Sequence, residues 1–199
     1  MRQLRINRYN QRREHRARRN LVKTGIGEWF SEHKGVFVFL LIFGVLMGGF
    51  YALALFTPFY ERHFPYYLGV NARMSGHILK YLGQDITVGG ASISSPVFSI
   101  TIEQGCDAIE PTALFICAVL AFPVPFSKKV PGIIAGTLLL AVLNLIRIVS
   151  LFLVGVYLPS AFELMHADVW QGLFIFFAIF LWGSWLLWTG KSQVPVQNH

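Results

Sequence analysis

Long apolar stretches alternate along this chain with short polar ones. Residues 36–57 carry no charged side chain. At ~1.5 Å per residue, such a stretch crosses a ~30 Å hydrocarbon core as a helix. Three further apolar stretches follow, at about residues 108–122, 130–157 and 168–189. The second is short and carries Glu110-Pro111 at its start, and proline suits the first turn of a helix. Trp182, Trp185 and Trp188 near the end of the last stretch suit a membrane–water interface.

The pattern changes over residues 58–105. Met74, Ile78, Tyr81 and Leu82 recur at helical spacing, while Arg73, His77, Lys80 and Gln84 take the other face. That spacing predicts an amphipathic helix lying on the membrane surface, stopped at Gly83. Ile86 and Val88, a Gly89-Gly90 turn, and the alternation from Phe98 to Glu103 predict a small β-hairpin. The elements sum to an all-α integral membrane protein of about four transmembrane helices, with an extracytoplasmic insert made of the amphipathic helix and the hairpin. The predicted organisation is a basic arm (1–35), a first transmembrane helix (36–57), the insert (58–105), a three-helix membrane core (106–190) and a tail (191–199). Gly44/Gly48 and Gly132/Gly136 are small-xxx-small pairs suited to helix–helix contact.

Composition agrees with this class and adds an orientation. The chain is 54% hydrophobic, and its mean hydropathy is +0.53. That excludes an ordinary soluble domain. The net charge of +7 is concentrated at one end: ten of the seventeen Lys and Arg lie in residues 1–34. Directly before an apolar stretch, such an arm sets topology and meets anionic lipid rather than nucleic acid. Lys128 and Lys129 lie between the second and third stretches, and Lys191 follows the fourth. With four crossings, all three sites fall on the cytoplasmic side. The stretch at 36–57 is too long for the core of a cleaved signal and reads as a retained anchor.

Arg147 lies inside an apolar run, residues 130–158, that has no acidic residue. A charge at bilayer depth is costly, so its default reading is functional, with a partner to be named. Cys106 and His166 supply the candidates, each at the outer mouth of a neighbouring span. Arg147 precedes Tyr157 by ten residues, roughly 15 Å along a helix, and its long side chain reaches back toward the surface. A helix start or a neighbouring cation lowers a thiol pKa, which predicts a reactive Cys106 beside Arg147. His166 would serve as general base or acid, and Arg147 would stabilise an oxyanion. Nucleophile, base and electrostatic clamp together suit acyl transfer. Asn144, one turn before Arg147, is expected to orient the guanidinium. Glu110 is expected to support the site, either paired with Arg147 or complementing the helix N-terminus. Cys117 sits between Ile116 and Ala118 and reads as a packing residue. Eleven residues from Cys106, it is too distant to form a disulfide if both lie on one helix. The other five histidines have no metal-ligand spacing, so neither metal nor cofactor is expected.

The run SSPVFSITIEQGCDAIE at 94–110, NLIRI at 144–148, and His166 followed by Trp170-Gln171-Gly172 resemble the exosortase/archaeosortase family. The resemblance covers roughly residues 66–190, with the three motifs in family order. In its short form the chain is most similar to the exosortase H subgroup. It departs from the family at Asp107-Ala108, where Ser-Gly is common. The family comprises membrane cysteine transpeptidases with a proposed Cys, Arg and His triad, here Cys106, Arg147 and His166. The resemblance implies a multi-pass protein of the bacterial inner membrane with its site on the extracytoplasmic face. It also implies membrane-anchored protein substrates whose C-terminal sorting signal comprises a motif, one transmembrane helix and a basic tail. Cleavage would pass through a Cys106 acyl-enzyme to a second nucleophile, an envelope glycolipid being one candidate and water another. Two other readings fit the pattern: a non-enzymatic adaptor in envelope or exopolysaccharide assembly, held by a structural Arg147–Glu110 pair, and a small transporter.

Overall fold

The computed structural model describes residues 33–56, 58–103 and 105–191. The basic arm up to residue 32 and the tail from 192 lie outside the described residues. Five α-helices and a small sheet run in the order α1 (Lys34–Phe56), α2 (Pro58–Tyr81), β1 (Thr87–Gly89), β2 (Ser92–Ser94), β3 (Ser99–Thr101), α3 (Ile109–Ala121), α4 (Phe126–Tyr157) and α5 (Trp170–Lys191). A 3₁₀ turn (Pro159–Ala161) and a π-helical turn (Leu164–Val169) join α4 to α5. The chain divides into two units, residues 1–42 and 43–199. Of the first, the described residues form the opening turns of α1.

Among the described residues, three helices are long and apolar enough to cross a membrane: Lys34–Leu55, Phe126–Tyr157 and Leu164–Gly190. The expectation of about four therefore holds for three. The thirteen residues of α3 make a helix of roughly 20 Å, shorter than a hydrocarbon core. Hydrogen bonds nevertheless place α3 antiparallel to α4. Arg147 meets Gly105 and Cys106 before the start of α3, and Lys129 donates to the Leu120 carbonyl at its end. The eighteen residues between those two contacts cover roughly 27 Å along α4.

Lys128 and Lys129 lie in the first turn of α4 rather than in a loop before it. The free carbonyls in the last turns of two neighbouring helices explain this. Lys129 Nζ donates to Leu120 O of α3, and Lys128 Nζ donates to Thr189 O of α5 at 3.1 Å. Cations at helix C-termini satisfy orphan acceptors and complement the helix dipole. The Trp185 indole donates to Lys128 O at 3.0 Å, so the start of α4 and the end of α5 lie together.

Helix α2 is longer than the periodicity predicts, beginning at Pro58 and containing Pro65. It stops at Gly83, which sits at φ +82°. There Gln84 N–H reaches Leu79 O and Gly83 N–H reaches Lys80 O, both at 3.0 Å. This pairing satisfies the last carbonyls and requires a left-handed residue. The buried face of α2 is made by Leu68, Asn71, Ala72, Ser75 and Leu79. Met74, Ile78, Tyr81 and Leu82 face outward, uncovered by protein.

The predicted hairpin is a three-stranded antiparallel meander, β1-β2-β3. Val88, Ile93 and Ile100 stand in register across it. On the other face, Ser92 pairs with Thr101 and Ser94 with Ser99 through their hydroxyls. The middle strand is hard to see in Ala-Ser-Ile-Ser-Ser, because Ile93 alone marks it as a strand.

Helix α4 separates two hydrophobic clusters. Its Ile148, Val149 and Phe152 pack with Leu68, Ala72 and Leu79 of α2 and with Ile86, Ile93 and Ile102 around the sheet. Its Leu140 and Leu151 pack with Phe115 and Val119 of α3 and with Trp170, Phe174 and Trp185. The Gly132/Gly136 pair is used: a Cβ at Gly136 would collide with the Phe115 ring and one at Gly132 with Trp185. A Cβ at Gly44 or Gly48 would meet no neighbour within 4 Å among the described residues. Arg147 sits on α4 between the two clusters.

Candidate active site

Three segments converge on one thiol. The β3 strand delivers the chain to Gly105 and Cys106, just before α3. Cys106 is half-buried, and its Sγ lies 2.9 Å from His166 Nε2. Arg147 Nη2 donates to the same sulfur at 3.7 Å, and Nη1 donates to Gly105 O at 3.4 Å. The guanidinium lies over the Phe174 ring, 5.4 Å from its centroid. Arg147 itself is only 5% exposed. The structure thus brings Cys106, Arg147 and His166 together.

His166 owes its position to the π-helical turn. Such a turn inserts one residue into a helix, and each residue rotates the following side chains by about 100°. Its ring is braced by aromatics. Phe162 stacks on it at 5.7 Å, and Phe98 meets Phe162 edge-on at 5.4 Å and Phe152 at 5.8 Å. This brace ties the imidazole to α4 and to the loop between β2 and β3.

The two supporting residues lie elsewhere than expected. Asn144 is fully buried, but its amide donates to Asn71 Oδ1 of α2 at 3.2 Å rather than meeting the guanidinium. Glu110 is exposed in the first turn of α3. Among the described residues no ion pair joins it to Arg147, whose contacts go to Gly105, Cys106 and Phe174. Cys117 is buried in α3.

Several site residues give little signal in the sequence. Asp107 is 2% exposed, and its Oδ1 accepts from Ile109 N–H, the first of α3, at 2.9 Å. Ala108 takes φ +60°, a left-handed conformation that strains any side chain. A glycine at this position would carry no such strain. Tyr67 donates its hydroxyl to Asp107 O at 2.9 Å. Polar spacing alone does not separate such residues from ordinary helix and loop positions.

The thiol is not activated as the sequence predicts. Burial pushes the Cys106 pKa up, and this outweighs the lowering by Arg147; the carboxylates of Asp107 and Glu103 push it further up. These surroundings do not favour a standing thiolate on Cys106. The sign gives a prediction. Asp107→Asn keeps an acceptor for Ile109 N–H and removes the charge that opposes the thiolate. Alkylation of Cys106 by iodoacetamide should then follow a pH profile displaced to lower pH than in wild type. An unmoved profile would mean that no charge stands at position 107.

The family model described as transmembrane exosortase (Exosortase_EpsH) matches residues 21–185. The chain belongs to the transmembrane exosortase family. No curated protein and no solved structure matches it. Family membership and the apolar helices make it a multi-pass, membrane-embedded protein with a sorting-related function. The matched region contains Cys106, Arg147 and His166.

Proposed function

We propose that this exosortase is a cysteine transpeptidase that cleaves C-terminal sorting signals of membrane-anchored proteins at the extracytoplasmic face. The observation that carries the reading is the approach of Cys106 Sγ to His166 Nε2 at 2.9 Å with the Arg147 guanidinium against the same sulfur. The adaptor reading needed an Arg147–Glu110 pair, which the described residues do not form.

The chemistry is balanced by these three groups. The sulfur attacks the scissile carbonyl carbon while His166 Nε2 takes the thiol proton. The carbonyl oxygen becomes an oxyanion facing Arg147. As the tetrahedral adduct collapses, the C–N bond breaks, the leaving amine takes the proton from His166, and a thioester remains on Cys106. A second nucleophile gives its proton to His166, attacks the thioester and frees the thiol. An envelope glycolipid or water fills that role.

Two measurements test the reading. In intact cells or right-side-out vesicles, a membrane-impermeant maleimide should label Cys106 near neutral pH and leave Cys117 unmodified. An unlabelled Cys106 in correctly inserted protein would remove the nucleophile from the reading. A reporter active only outside the cytoplasm should work when fused after Gly90 and fail after Lys129. The reverse pattern would put the three side chains in the wrong compartment.

A further inference from the structure

Helix α2 is tied to the loop of the nucleophile by a continuous run of hydrogen bonds. It starts one turn before Arg147, where the fully buried Asn144 donates to Asn71 Oδ1 at 3.2 Å. Asn71 Nδ2 donates to the Tyr67 carbonyl at 3.0 Å. The Tyr67 hydroxyl donates to Asp107 O at 2.9 Å. Asp107 and Ala108 are the two residues after Cys106, and Ala108 is the only non-glycine residue with positive φ among the described residues. A left-handed alanine is held only where its surroundings over-determine it. The two peptide units that flank Ala108 are each held, the first by Tyr67 on the Asp107 carbonyl and the second by Asp107 Oδ1 on the Ile109 N–H.

We infer that Tyr67 and Asn71 are positioning residues for Cys106. They register α2 against α4 and hold the strained Asp107–Ala108 peptide, so that the thiol stays against His166 and Arg147. The inference deepens the transpeptidase reading and rests on it. Once the Tyr67 bond is lost, Ala108 relaxes toward an ordinary φ. The Asp107 peptide then rotates, and the sulfur leaves the reach of Nε2. A glycine at 108 has no strain to release, so it needs the tether less.

The test needs no protein substrate. Iodoacetamide alkylation of Cys106 is followed against pH in wild type, Tyr67→Phe, Ala108→Gly and the double variant, with thermal midpoints measured alongside. The groups facing the thiol, His166, Arg147, Asp107 and Glu103, are unaltered in every variant. Tyr67→Phe should slow alkylation at neutral pH by roughly three- to tenfold, the factor that one net hydrogen bond represents. Its profile should move to higher pH, with the thermal midpoint close to that of wild type. Ala108→Gly should keep the wild-type rate, and in that background Tyr67→Phe should cost clearly less than in the wild-type background. The inference is overturned if wild-type Cys106 reacts and Tyr67→Phe reacts as fast. It is also overturned if the loss is equal in the two backgrounds, or if it comes with a large fall in the thermal midpoint, because Tyr67 would then be holding the fold. A wild-type Cys106 that does not react overturns the transpeptidase reading instead, so the two failures are distinct.

Discussion

Cys106→Ala is expected to leave sorting-signal substrates full length in the membrane, a loss of about 10⁴- to 10⁶-fold in processing. The sulfur is the single atom on which His166 and Arg147 converge, at 2.9 and 3.7 Å, and an alanine offers neither a nucleophile nor an acid proton. Cys106→Ser should be nearly as inactive. A hydroxyl has a far higher pKa than a thiol, and here burial already opposes the anion. Cys117→Ala should process normally, because that sulfur lies inside α3, remote from both partners, and its removal costs about 1 kcal/mol of packing. The two cysteines thus control for each other, provided membrane levels are matched. Processing is read as the shift of a co-expressed substrate on a gel. Normal processing by well-expressed Cys106→Ala would leave the family membership standing and remove the chemistry.

Arg147→Lys is expected to be almost as damaging as Arg147→Ala, with each losing about 10²- to 10³-fold in the first acyl transfer. The guanidinium does three things at once. One amino group meets the sulfur, the other meets the Gly105 carbonyl, and the flat face rests on Phe174. A lysine ammonium is a compact point charge that cannot span two acceptors or stack on a ring in this way. Arg147 Nε is buried without a hydrogen-bond partner, so the residue is not held by a complete polar shell. Single-turnover kinetics with thermal midpoints separate lost chemistry from lost fold. A lysine variant with most of the wild-type rate would reduce Arg147 to a counter-charge.

Much of this arrangement is legible in the sequence. Long apolar stretches announce α1, α4 and α5, because hydrocarbon admits little else. Cys106 and His166 flank apolar stretches in the sequence, and the long side chain of Arg147 shortens the roughly 15 Å between its backbone and the end of α4. Other features depend on contacts that no local pattern carries. The short α3 is completed by its flanking loops and by Lys129, whose ammonium reads as a loop charge until a carbonyl is found for it. Strand β2 holds a single apolar residue, Ile93, and exists because β1 and β3 lie on either side. On α2 the packed face is made of small and polar residues, Asn71, Ala72 and Ser75, while the conspicuous apolar face looks outward. The role of Asn144 is misread for the same reason: its true partner, Asn71, lies 73 residues away. The sign of the Cys106 shift was also out of reach, since burial of a thiol is a property of the packed site.

The central claim is that the substrate passes through a thioester on Cys106. The most direct measurement is capture of that intermediate: the protein is co-expressed with a substrate bearing a sorting signal, quenched in acid, digested and analysed by mass spectrometry. The account predicts a hydroxylamine-labile adduct joining the Cys106 peptide to the new C-terminus of the cleaved substrate, absent in Cys106→Ala and unchanged in Cys117→Ala. Efficient cleavage with no such adduct under quenching that preserves thioesters, or an adduct on Cys117, would contradict it.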